Sequence, residues 1–148
     1  MTHQLPHDSN LEKIRAISKS VDDSFLIARE LLKLCDHLYL AMGTDSIIRQ
    51  AYNTVKTIGY QPYEVVGKSF FDFVTPSTLK NTRDIWLAGQ ELNEFDGFLM
   101  WSGFKNSYTH KDGSEVVLEW KAARNMVLDQ ILASATVIDK IKQNTPRE

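Results

Sequence analysis

A single cysteine, Cys35, stands among 148 residues. One thiol excludes an internal disulfide and argues against a thiolate metal cluster. Net charge is small as well: −2, with a pI of about 6.1. No basic surface therefore recommends a nucleic-acid backbone as partner. No apolar run reaches the length of a membrane span, and the polar start Met1-Thr2-His3-Gln4 does not read as a signal peptide, so no membrane association and a cytoplasmic location are expected. No glycine-rich phosphate loop and no metal-ligand spacing occurs. What remains is ordinary for one soluble domain with its own core: 43% apolar and 24% charged residues.

The run from Tyr108 to Trp120 organises the rest. Asp112-Gly113 between two β-rich stretches is a strong hairpin signal, because glycine accepts the positive φ of a tight turn. Beyond the turn, Val116, Leu118 and Trp120 alternate with Val117, Glu119 and Lys121, giving one apolar row and one mixed row. Such a sheet needs a covering layer. After a disordered lead over residues 1–8, Ser9 or Asn10 is the expected N-cap of an amphipathic helix over residues 9–35. Its seam of Leu11, Ile14, Ser18, Val21, Phe25, Ala28, Leu32 and Cys35 is spaced three and four apart. That seam suits packing on its own domain, or pairing with a second copy through Ile14, Val21, Phe25, Ala28 and Leu32.

Leu38, Leu40 and Met42 then alternate with His37, Tyr39 and Ala41 in a first strand, and Ile47 to Tyr52 returns as a second. Asn53 is the expected N-cap of a short helix ended by Gly59, and Pro62 opens another that Gly67 closes. Phe70, Phe71 and Phe73 form an aromatic cluster that suits a core. Thr75-Pro76 opens a longer helix from Ser77 to Leu92, presenting Leu79, Ile85, Trp86 and Leu92. After Gly97, a strand from Leu99 to Thr109, the hairpin, a turn over residues 125–129 and a last strand from Gln130 to Ile138 complete a meander. The polar tail, residues 140–148, is expected to be loose. The order gives an α+β domain: five antiparallel strands with the helices on one sheet face.

In this order and spacing, residues 36–139 resemble a PAS (Per-Arnt-Sim) domain. The matching pieces are Asn53 after the second strand, Ile58-Gly59-Tyr60, the run Glu64 to Pro76 with its Glu-x-x-Gly start, the hairpin Tyr108 to Ser114 with Leu118-Glu119-Trp120, and Ile138-Asp139 at the domain end. The resemblance implies a PAS-like five-stranded sheet whose concave face encloses a small cavity with the helices. By alternation the inner faces are Leu38, Leu40 and Met42; Phe104, Asn106 and Tyr108; Val116, Leu118 and Trp120; and Ala133, Ala135 and Val137.

The cavity candidates are accordingly Leu40, Met42, Phe70, Trp86, Asn106, Tyr108, Leu118, Trp120, Ala133 and Ala135. The two alanines leave room beneath bulky aromatics. Asn106 and Tyr108 are polar groups in need of a partner, which a guest or an ordered water would supply. Such a lining fits a small apolar or aromatic guest with one polar handle, and equally a filled core.

Photoactive flavin members of the family carry a cysteine in an Asn-Cys-Arg-Phe-Leu-Gln run. The corresponding Ser69-Phe70-Phe71-Asp72-Phe73 has none, which argues against a flavin–cysteine adduct and leaves non-covalent flavin open. Haem-binding members usually ligate iron through a histidine on the longer helix, and residues 77–92 contain none. His37 and His110 read as solvated. Asp84, Glu91, Glu94 and Asp96 read as solvated helix charges, and Glu115 and Glu119 fall on the outer row, so no acid–base pair for catalysis is expected.

The function expected is a sensory module that binds a small molecule, relays a signal through homodimer contacts, or does both. A ligand-free dimerisation module is the alternative, and a small cavity enzyme the third reading. The stretch after Asp139 is too short for an output domain, so the signalling partner is expected in trans or elsewhere in a longer chain.

Overall fold

The computed structural model describes residues 6–90, 99–125 and 127–142. The expected helix end at Leu92, the carboxylates Glu91, Glu94 and Asp96, Gly97, and the lead and tail over residues 1–5 and 143–148 lie outside the described residues. Contacts divide the chain into two compact units, Met1–Cys35 and Asp36–Glu148.

The first unit is one helix, α1 (Pro6–Leu34). It starts at Pro6 rather than at the expected Ser9 or Asn10 cap. Proline suits a first helical turn, because its fixed φ is helical and its missing N–H would be unpaired there anyway. Ile14, Val21 and Phe25, the seam residues, are exposed. No helix among the described residues is long and apolar enough to cross a membrane.

In the second unit the strands are β1 (Leu38–Met42), β2 (Ile48–Tyr52), β3 (Leu99–Thr109), β4 (Glu115–Asn125) and β5 (Gln130–Ile141). Among the described residues they form one antiparallel sheet in the order β2-β1-β5-β4-β3. Between β2 and β3 come α2 (Thr54–Ile58), α3 (Pro62–Val65), a 3-10 turn at Phe70–Asp72 and α4 (Pro76–Gln90). The α+β architecture expected from the element order is present.

Local chemistry explains the boundaries, with some departures from expectation. Gly59 closes α2 at φ 82, donating its N–H to Thr54 and Val55 carbonyls, a left-handed cap that suits glycine. Asn53 precedes α2 at φ 63 but does not cap it; its Nδ2 donates to the His37 carbonyl at 2.8 Å and ties the helix start to the entry of β1. At α3 the Gln61 N–H donates to Glu64 Oε2 at 2.8 Å. Ile47 does not extend β2; it makes an isolated bridge with Ser69. The last strand runs past Ile138, and Lys140 and Ile141 pair with Val116 and Glu115 instead of fraying.

The inner sheet face holds the core. Leu38, Leu40, Met42, Val116, Leu118 and Ala135 are buried on it, and Ile58, Val65 and Phe73 pack from the helical layer. Val137 departs from the expectation at 37% exposed. It pairs with Leu118 but lies past the end of β1, whose first residue, Leu38, pairs with Ala135, so that neighbouring strand leaves it uncovered.

Candidate ligand cavity

Two residues of β3 define one end of the site, and both depend on a break in strand regularity. The β3–β4 register shifts between Leu99 and Trp101 and again between Ser102 and Phe104. Gly103, at φ 73, sits in the second shift. A bulge adds a residue to one strand and flips the parity of the residues beyond it. Trp101 and Phe104 therefore both line the cavity although three positions apart, where strict alternation would put them on opposite faces.

Trp101 rests on α4. Its Nε1 donates to the Ile85 carbonyl at 2.9 Å, and its ring stacks on Trp86 with centroids 5.6 Å apart and planes 7° from parallel. Gly89 makes this approach feasible, since a Cβ there would collide with the indole. Phe70 adds a third ring 4.9 Å from Trp86.

The opposite wall comes from the sheet. Met42, Ile131, Ala133 and Ala122 occupy adjacent rungs, Met42 pairing with Ile131 and Ala122 with Ala133. The small residues leave volume that the rings do not fill, and a cavity of about 50 Å³ results. By the water-sized measure this holds about four small non-hydrogen atoms.

Polar groups enter at one place. Asn106 Oδ1 accepts from Trp120 Nε1 at 2.6 Å, and Asn106 Nδ2 donates to Thr82 Oγ1 at 3.3 Å. Thr82 Oγ1 in turn donates to the Thr78 carbonyl at 2.7 Å. Tyr108, 1% exposed, also lines the cavity, and burial raises its pKa well above the usual phenol value, so it is a neutral phenol. No charged side chain is among the described lining residues.

Of the residues expected to face the cavity, the structure brings together Met42, Phe70, Trp86, Asn106, Tyr108, Trp120 and Ala133. Leu40, Leu118 and Ala135 are buried core instead. Leu40 belongs to β1, the strand on which α2 packs. Ala135 pairs with Trp120, and Leu118 lies further toward the hairpin. Sequence reasoning missed Thr82, Ile85, Trp101, Ala122 and Ile131 as wall residues, and placed Phe104 on the inner face without naming it for the cavity. Ala122 and Ile131 continue the alternation of Trp120 and Ala133, and the isolated Gly103 inside a strand pattern was the available signal for Trp101.

Outside the cavity, His110 is not simply solvated. Its side chain is only 17% exposed, its ring lies against Gly59, and its Nδ1 is 3.0 Å from Asp112 Oδ1. His37 is exposed, as expected. The cavity is about a third of the ~150 Å³ that accommodates benzene. Residues Pro76–Gln90 of α4 offer no histidine to haem iron.

No family model and no curated protein matches the chain by sequence. Solved structures do match. The PAS domain of an HTR-like protein from Haloarcula marismortui aligns with TM-score 0.67 at 16% identity, covering 84% of this chain and 99% of that one. The PAS domain of the RpfR quorum-sensing receptor from Cronobacter turicensis, in complex with BDSF, aligns with TM-score 0.55 at 13% identity, covering 71% and 96%. The PAS-B domain of Drosophila melanogaster Cycle, with bound ethylene glycol, gives TM-score 0.55 at 17% identity, covering 68% and 99%. With the strand order, the helices between β2 and β3 and the cavity under α4, these matches establish that the chain has the PAS fold.

Proposed function

We propose that the chain is a sensory, signal-transducing module that binds a small molecule between the sheet and α4 and relays its state through homodimer contacts of α1. The observation that carries the reading is the cavity itself: unfilled volume walled by Trp86, Trp101 and Trp120, with Asn106 and Tyr108 as polar handles. An apolar hollow leaves its walls without dispersion contacts that a guest supplies. Two similar folds, the RpfR and Cycle domains, are described with bound small molecules. The relay is a population shift: a guest favouring one packing of sheet and helices moves the equilibrium by its differential affinity. Catalysis has no support here, because Tyr108 is the sole titratable side chain among the described lining residues and burial holds it protonated.

The exposed seam of α1 favours a second reading, a ligand-free interaction module. Native mass spectrometry of the untreated protein separates the two. The sensor reading expects a dimer carrying an added small mass. An unliganded dimer supports the interaction module, and an unliganded monomer removes both.

A further inference from the structure

We propose that the cavity selects an uncharged, ring-sized guest bearing one hydrogen-bond acceptor, received by the Tyr108 hydroxyl; this rests on the ligand-binding reading above. Charge is decided by what the walls lack. Among the described residues, no lysine, arginine or histidine lines the space. A carboxylate or phosphate entering it would lose its hydration with no cation to offset the loss, a penalty large enough to forbid entry.

The handle is decided by which polar atoms are already committed. Asn106 accepts from the Trp120 N–H and gives one of its two amide hydrogens to Thr82, Thr82 donates to the Thr78 carbonyl, and the Trp101 N–H is taken by the Ile85 carbonyl. Among the fully buried lining residues, Tyr108 alone carries a polar atom that makes no hydrogen bond to the described residues. A neutral phenol is a good donor, and this hydroxyl is available to an acceptor atom of the guest.

Size follows from the wall that can yield. About 50 Å³ falls short of a ring, but Trp101 stands between two breaks in the β3–β4 ladder. Displacing its indole opens space for one aromatic ring beside Trp86, where ring-on-ring packing replaces the stacking that is lost.

The test is a titration followed by amide NMR with three probes of matched shape: acetophenone (ring with a carbonyl), cumene (no acceptor) and benzoate (charged). In the wild type, acetophenone is expected to shift amides around Thr82, Asn106 and Trp101 and to bind more tightly than cumene, while benzoate shifts none of them. In Tyr108→Phe, acetophenone affinity is expected to fall about three- to tenfold, to the level of cumene, whose own affinity stays put. Benzoate binding as tightly as acetophenone, or a Tyr108→Phe variant that binds acetophenone unchanged, overturns the proposal and leaves the cavity reading standing. Failure of all three probes to enter overturns the guest class, while native mass spectrometry judges the cavity reading independently. The wild-type comparison decides charge and acceptor even where the variant does not fold.

Discussion

Asn106 and Trp120 show how closely the cavity wall depends on single side chains. The 2.6 Å bond from Trp120 Nε1 to Asn106 Oδ1 is buried at both ends. Removing one partner strands the other, and an unpaired buried polar group costs about 1–3 kcal/mol. Asn106→Leu is therefore expected to lower unfolding free energy by about that amount in chemical denaturation. Trp120→Phe removes the orphaned donor along with part of the core. The double variant should cost less than the sum of the two single ones, because neither orphan survives in it. Strictly additive losses would show that the bond contributes nothing of its own. Gly89 and Trp101 depend on each other in a different way: any side chain at Gly89 occupies the space of the indole, so the stacked pair with Trp86 exists only while position 89 has no Cβ.

The elements differ in how plainly their sequence announces them. β4 and β5 follow period two over the inner face from Val116 to Ala122 and from Ile131 to Ala135, so their buried rows were legible. β3 was legible as a strand and in the alternation of Phe104, Asn106 and Tyr108, but not at Trp101, because the shift between Ser102 and Phe104 breaks the alternation that assigns faces. Thr82 was illegible as a partner of Asn106: the pairing depends on where α4 sits over the sheet, and no local pattern encodes that. Leu40 and Leu118 were assigned to the right face and the wrong end of it, since alternation reports a face and says nothing about which helix covers each rung. In α1 the pattern is clear but its use is not. Ile27, Leu31 and Leu34 lie beside the seam of Val21, Phe25 and Leu32, and at 100° per residue the apolar arc spans about half the helix in its second half. Phe25 is 73% exposed, a costly arrangement for an isolated helix and an apt one for a contact between copies. Val21→Asp or Phe25→Asp is expected to weaken self-association by about 3 kcal/mol or more, enough to yield monomers in sedimentation at micromolar concentration, because each buries a charge without a partner. Thermal unfolding of the Asp36–Glu148 unit should be unaffected, since the substitutions fall in the other unit. Dimers that persist in both variants would place the interface elsewhere.

A guest in the cavity and a second copy on α1 act on one molecule, so the proposed relay carries a thermodynamic obligation. Whatever factor the guest imposes on the dimer dissociation constant, dimerisation must impose on guest affinity. Couplings of this kind commonly amount to about 1–3 kcal/mol, or roughly five- to 150-fold. Sedimentation of the wild type with and without saturating acetophenone should therefore show a shift of about fivefold or more in the dimer constant. Calorimetric titration of acetophenone into dimeric wild type and into monomeric Phe25→Asp should differ by the same factor and in the matching direction. The sign is open to measurement, but the equality is not, because both experiments close one cycle. Displacement of Trp101 would break its bond to the Ile85 carbonyl and its stack on Trp86, so a guest that moves it loosens the contact of α4 with β3. A dimer constant indifferent to a saturating guest would sever the cavity from α1. The chain would then be a dimerisation module with a passive hollow, and the placement of Trp101 between two bulges would need an explanation outside signalling.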